Sequence, residues 1–207
     1  MKVYLRAAMN VALALKLRGF SVGGGWTEGD EDEAAVLRDF QSTGHVEVIG
    51  TRPGRGRAIE KAVYVILDAS QAPARHKNDF ESLMNSVLSK NKKDLHELVL
   101  VSTAEVLAKK NIIECFLAIK GPAFLLPVPL VVFANPIVNH CMAAKHEIVA
   151  KKDIDIGEWL HLQSSNYPSI GLIEPQVVWA GGRPGDFLKV TRMSENAGTV
   201  PTYFHVV

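Results

Sequence analysis

The stretch Val178-Trp179-Ala180-Gly181-Gly182-Arg183-Pro184-Gly185-Asp186-Phe187 sets three glycines, a proline and one charge of each sign between two apolar blocks. Such a run reads either as a phosphate-binding loop or as a turn. A Walker-type loop needs Gly-x4-Gly-Lys-Ser/Thr, so that backbone amides and a lysine converge on phosphates. No Lys-Ser/Thr follows these glycines, and the next residues read as a strand rather than as the start of a helix. The turn is the better reading. Glu174-Pro175 supplies the N-cap and first position of a short helix, Gly181 or Gly182 its stop, and Pro184-Gly185 the central pair of a type II turn in which glycine takes φ > 0. A strand beginning at Asp186 puts Leu188 and Val190 on one face and Lys189 and Thr191 on the other. The loop Ser194-Glu195-Asn196-Ala197-Gly198 then returns the chain into a closing strand that ends in TYFHVV.

Working outward, 207 residues of 47% hydrophobic content suffice for one large or two small domains with a real core. A net charge of +1 from 23 basic and 22 acidic residues leaves any contact with nucleic acid local rather than global. Two cysteines, Cys115 and Cys141, fall short of a disulfide framework or a four-ligand zinc site, and read as buried thiols of a reducing compartment. Lys2 and Arg6 precede the run AAMNVALAL, but Asn10 interrupts it and Lys16 and Arg18 follow at once. That pattern predicts an amphipathic helix ending at Gly19, not a signal peptide. The apolar run from Ala123 to Val138 is short for a bilayer span and carries Pro127, Pro129 and Pro136.

Along the chain the spacing predicts a helix over Lys2–Arg18, a glycine-rich break before Trp26, and a short helix from Asp32 to Phe40. HVEVIG and KAVYVILD are strands joined by the loop TRPGRGRAIE, and NDFESLMNSVLSK returns to helical spacing. LHELVLVS is a buried strand, VLAKKNIIECFLAI a helix, and VPLVVF a further strand. This alternation predicts an α/β layer with partly parallel pairing over residues 1–138. Periodicity fades near Asn135–Lys145, so residues 139–207 form a second, small α+β domain, of a size that leans on a partner.

From Pro168 onward the pattern P-x-I-x3-[DE]-P-x5-G-x3-G-D-x2-K-x2-R-x-S-E-x-A-G-x4-Y resembles the C-terminal assembly module of the fifth-subunit family of eukaryotic-type DNA-directed RNA polymerases, which has a counterpart in archaeal polymerases. His146-Glu147-Ile148-Val149 resembles the family's entry to that module. Ala150 and Met193 stand where the family usually has proline, Asn196 where it has threonine and Phe204 where it has arginine. Upstream, LRAAMNVALALKLRGFSV resembles the opening helix of the family's N-terminal jaw domain, which the archaeal counterpart lacks. VVWAGGRPGDF and VLAKKNI look more like the versions of large DNA viruses. The resemblance implies a non-catalytic structural subunit without cofactor. It implies a jaw of restriction-endonuclease-like layer near downstream duplex DNA, and docking on the largest subunit through Gly185, Asp186, Lys189, Arg192, Ser194, Glu195, Gly198 and Tyr203. It also implies a nuclear protein if cellular, and a virion or cytoplasmic viral factory if viral. Lys109 and Lys110 match a loop that in the family lies toward the duplex.

The residues themselves leave several readings open. Arg52, Arg55 and Arg57 share one loop that could meet phosphates or simply be solvated. Lys90, Lys92 and Lys93 read as the solvated end of a helix, and Trp179 as a core anchor. The seven histidines are scattered without metal-ligand spacing, and no Asp-x-Asp-x-Asp, His-Glu-x-x-His, Gly-x-Ser-x-Gly or Cys-x-x-Cys occurs. Two rival functions remain. A regulator or scaffold working apart from a polymerase is one. A nuclease on a restriction-endonuclease-like fold is the other, with Asp68 as first acid and Glu97 as second, although Val99 stands where that chemistry needs lysine. The purified chain is expected to leave duplex DNA intact in Mg²⁺. Cleavage that disappears in Asp68→Ala would establish the nuclease instead.

Overall fold

Leu5, Ala8, Val11, Ala12 and Leu15 recur at helical spacing, and they are the buried stripe of α1, Lys2–Leu17. The computed structural model describes residues 2–23, 38, 40–54, 58–136, 144–149, 167–194 and 198–207. Helix α1 stops at Gly19, whose φ of 79° lets the Phe20 amide reach back to the Leu15 carbonyl and the Gly19 amide to Lys16. The chain divides into two units, Met1–Asn135 and Pro136–Val207, where the sequence reading put the boundary at 138/139.

The first unit is built on a five-stranded sheet of order β1-β2-β3-β4-β5, comprising Ser21–Val22, His45–Pro53, Ile59–Leu67, Leu95–Ser102 and Phe124–Pro129. Pairing is antiparallel from β1 to β3 and parallel from β3 to β5. The parallel strands need crossovers, which α2 (Lys77–Asn91) and the pair α3 (Ala104–Leu107) and α4 (Lys110–Leu117) supply. Phe80, Met84 and Val87 of α2 and Ile112 and Phe116 of α4 pack with Val63, Val65, Leu98 and Leu100 in one core. The alternate residues Ala62, Tyr64, Ile66, Val99 and Val101 are buried as well, so β3 and β4 are covered on both sides, as central parallel strands must be. On that second face Gly50 leaves room for α1: a Cβ there would lie 3.0 Å from Phe20 Cβ and 3.3 Å from Leu15.

The least expected part of this core is ionic. Arg18 is bidentate on Glu97, Nη1 to Oε1 at 2.9 Å and Nη2 to Oε2, and its Nη1 also donates to the Tyr64 hydroxyl. Tyr64 in turn donates to Glu97 Oε1 at 2.7 Å. Burial alone would favour loss of the Arg18 charge, but Tyr64 and Glu97 outweigh it and hold the guanidinium protonated. Burial, reinforced by the Glu97 charge, pushes the Tyr64 hydroxyl up.

Four sequence expectations need correction. VLAKKNIIECFLAI is not one helix: α3 ends at Leu107, and α4 begins at Lys110 with Lys109 extended at ψ 109°. VPLVVF is not one strand: β5 ends at Pro129, and Val131–Ala134 form a short helix, α5, whose Val132 and Phe133 are buried. Parity explains the prolines. The Leu130 amide donates to Ser102 of β4, so even-numbered residues face β4, while Pro127 and Pro129 turn their missing N–H to the open edge. The loop between β2 and β3 is shorter than expected, because the strands pair out to Pro53 and Ile59. Cys115 is half-buried rather than buried, with its thiol 3.8 Å from Glu81 Oε1 and pushed up by burial and that carboxylate. The expected helix over Asp32–Phe40 lies mostly outside the described residues, of which 38 and 40–43 are helical. Cys141, Trp26 and Gly24-Gly25 before it also lie outside.

The second unit is a four-stranded sheet of order β6-β8-β9-β7, comprising Lys145–Val149, Phe187–Ser194, Gly198–Val206 and Ser169–Ile170. Helix α6 (Pro175–Ala180) brings Val177 onto Leu188, Val190 and Val206, with Ile148, Ile170 and Phe204 around them.

Because Arg18, Tyr64 and Glu97 satisfy one another out of water, removing one partner strands the rest. Glu97→Ala is expected to destabilise the protein by about 3–5 kcal/mol in urea unfolding, and Arg18→Met/Tyr64→Phe/Glu97→Leu to recover most of that. A loss below about 1 kcal/mol in Glu97→Ala would contradict the assignment.

Candidate functional site

The glycine-rich stretch of the second unit forms the turn its chemistry predicts. Glu174 is extended at the start of α6, Pro175 is its first residue, and Gly181 ends it at φ 76°. Gly181 and Gly182 donate to Val178 and Val177 at 3.1 and 2.9 Å. Gly182 is required for closeness, since a Cβ there would lie 2.7 Å from Val177 Cγ1 and 3.0 Å from Ile148 Cδ1. Asp186 donates to the Arg183 carbonyl at 3.0 Å, its Oδ2 accepts the Arg183 amide at 2.9 Å, and Gly185 between them has φ 90°. Gly185 N–H then reaches Val206 at 2.9 Å, and Val206 N–H returns to Asp186. Every N–H from Gly181 to Asp186 therefore already has a protein acceptor, Pro184 having none to give. No amide is left to cradle a phosphate.

The hairpin that follows does not gather the residues expected to act together. Lys189 sits between Glu147 of β6 and Tyr203 of β9 in one cross-strand row. Arg192 has the parity of Leu188 and Val190, so it lies on the opposite face, exposed beyond the end of the core and paired with Val200. Lys189 and Arg192, both expected to meet the largest subunit, therefore lie on opposite faces of the hairpin. Gly185 and Asp186 lie at one end of the hairpin and the terminal pair Ser194 and Gly198 at the other, roughly 25–30 Å away. Glu195 lies outside the described residues.

On the Lys189 face the structure adds residues that sequence reasoning passed over. Phe187 is flanked by Tyr167 at 5.0 Å, edge to face, and by His205 at 5.3 Å. Farther along the same strand Met193 is 92% exposed. Period-two counting from Lys189 would have found both. Glu147 is held below the usual carboxylate range by the Lys145 ammonium, 2.8 Å away. On the other face burial, with the Arg192 charge, lowers His146.

In the first unit two of the three described candidates for DNA contact, Lys109 and Arg52, are engaged within the protein. Lys109 donates its Nζ to the Ala74 carbonyl at 2.8 Å, pinning the start of α4 to the short 3-10 helix Ala72–Ala74. Arg52 bonds Glu60 through Nε at 2.8 Å and the Arg18 carbonyl through Nη1 at 3.1 Å, and lies 4.3 Å over the Phe20 ring. Among the described residues Lys110 has an exposed pair with Glu114 at 3.6 Å. Arg55 and Arg57 lie outside the described residues. Exposed Arg75, His76 and Lys77 follow directly on the carbonyl that Lys109 grips. Their adjacency in the run PARHK was the sequence signal for them.

The nuclease pair does not come together. Glu97 stands opposite Ala62 on β3, whereas Asp68 lies six residues farther along, roughly 20 Å at strand rise. Glu97 is committed to Arg18 and Tyr64, and Asp68 Oδ1 accepts the Ser70 amide. Among the described residues no group of three or more His, Cys, Asp or Glu is placed to hold a metal.

No family model matches the chain. It is 31% identical over 138 residues to the DNA-directed RNA polymerase RPB5 homolog of African swine fever virus, Warthog/Namibia isolate, covering 64% of this chain. That match takes in 66% of the viral relative's own length, just under two thirds. The DNA-directed RNA polymerase subunit Rpo5 of Methanococcus maripaludis is 34% identical over 70 residues, which are 33% of this chain and 88% of the archaeal one. Its counterpart in Nitrosopumilus maritimus is 31% identical over 70 residues, 33% of this chain and 84% of that one.

Nothing lies within 4 Å of a Cβ built on Gly185, so a substitution there costs backbone strain and not a clash. Gly185→Val is expected to lose about 1–3 kcal/mol, and Gly185→Asn clearly less, since asparagine tolerates left-handed φ. Hydrogen exchange of the β8 and β9 amides in the two variants measures the difference. Equal protection in both would contradict the turn assignment.

Proposed function

The chain belongs to the fifth-subunit family of eukaryotic-type DNA-directed RNA polymerases, in its viral form, and from that premise we propose that it is a non-catalytic structural subunit of a multisubunit polymerase. Its second unit docks on the largest subunit, and its first is a jaw of restriction-endonuclease-like layer beside downstream duplex DNA. It works in the virion or the cytoplasmic viral factory. The observation that carries the reading is the archaeal match: 70 residues, a length close to that of the unit Pro136–Val207, take in 88% of a whole Rpo5 chain. A stretch of that length that accounts for nearly all of a smaller polymerase subunit suits an assembly role. The turn at Gly185 supports the same view, because its amides close the sheet onto itself and serve geometry rather than a nucleotide.

The separation of Asp68 from Glu97 weighs against the nuclease alternative. A regulator working apart from a polymerase gains no support from any of the described residues.

Docking through the hairpin is tested by reversing one charge on each face. Lys189→Glu and Arg192→Glu should both fold, and at least one should lower incorporation into the polymerase tenfold or more, the equivalent of about 1.4 kcal/mol. Wild-type incorporation by both variants would put the interface elsewhere.

The contact with DNA is tested separately in assembled elongation complexes. Lys110→Gln should reduce the salt dependence of their stability by about one unit of slope. Lys109→Gln should leave the slope unchanged and instead lower the melting temperature of the protein, because its ammonium holds a carbonyl. The reverse pattern would contradict both assignments.

A further inference from the structure

We draw no further inference here: the strongest candidate, the apolar groove of about 310 Å³ beyond the carboxyl ends of β4 and β5, lined by Val3, Thr103, Pro129, Leu130, Val131 and Ala134, carries none because nothing in the structure shows what covers it.

Discussion

Three polar side chains taken out of water fix how the first unit is assembled. Arg18 leaves the end of α1, Tyr64 stands on β3 and Glu97 on β4, and each needs the other two once buried. An isolated charge at this depth would cost several kcal/mol, so the helix cannot slide or rotate on the sheet without breaking the bidentate pair. The geometry propagates. The glycine stop at Gly19 aims Arg18 inward and brings Phe20 under Arg52, which bonds the Arg18 carbonyl and so ties the β2–β3 hairpin to the same cluster. The cluster also bears on function, since the carboxylate that a metal-dependent nuclease would need is fully occupied in holding the fold together.

The edges of the two sheets are treated differently. At β5 the outward-facing positions 127 and 129 are prolines, which denies a template to another strand. At the β2 end the outward carbonyl of His45 is taken by the Thr43 hydroxyl at 2.8 Å, and β1 pairs with Gly50 and Thr51. In the second unit β8 and β9 extend past β6, which stops opposite Thr191, so Arg192, Met193, Thr199 and Val200 lie exposed on a two-stranded arm. Two strands alone are marginally stable in water, and among the described residues Val177, Leu188, Val190 and Val206 form one buried cluster with Ile148, Ile170 and Phe204 partly buried around it.

What the sequence made legible was local chemistry. Pro at the start and glycine at the end of α6, and Pro184-Gly185 in the turn, act on the backbone within a few residues, so their effect can be read without knowing the fold. The exits of β5 and α3 were misread because both depend on distant groups. Ser102 of β4 draws in the Leu130 amide as the chain bends into α5, and Lys109 grips a carbonyl 35 positions away just where a continuous helix was expected. The buried cluster was invisible for the same reason, as Arg18 and Glu97 are 79 residues apart. Arg192 is a different case. Its parity with Leu188 and Val190 was already in the sequence, and grouping it with Lys189 followed a family pattern that says nothing about which face a side chain takes.

The central claim is membership in a polymerase, and the native mass of the assembly purified through a tag on this chain tests it most directly. One copy of the chain is expected in a complex with the two largest polymerase subunits, at fixed stoichiometry across preparations. A chain recovered mainly as a free monomer, or with copies of itself alone, would contradict it.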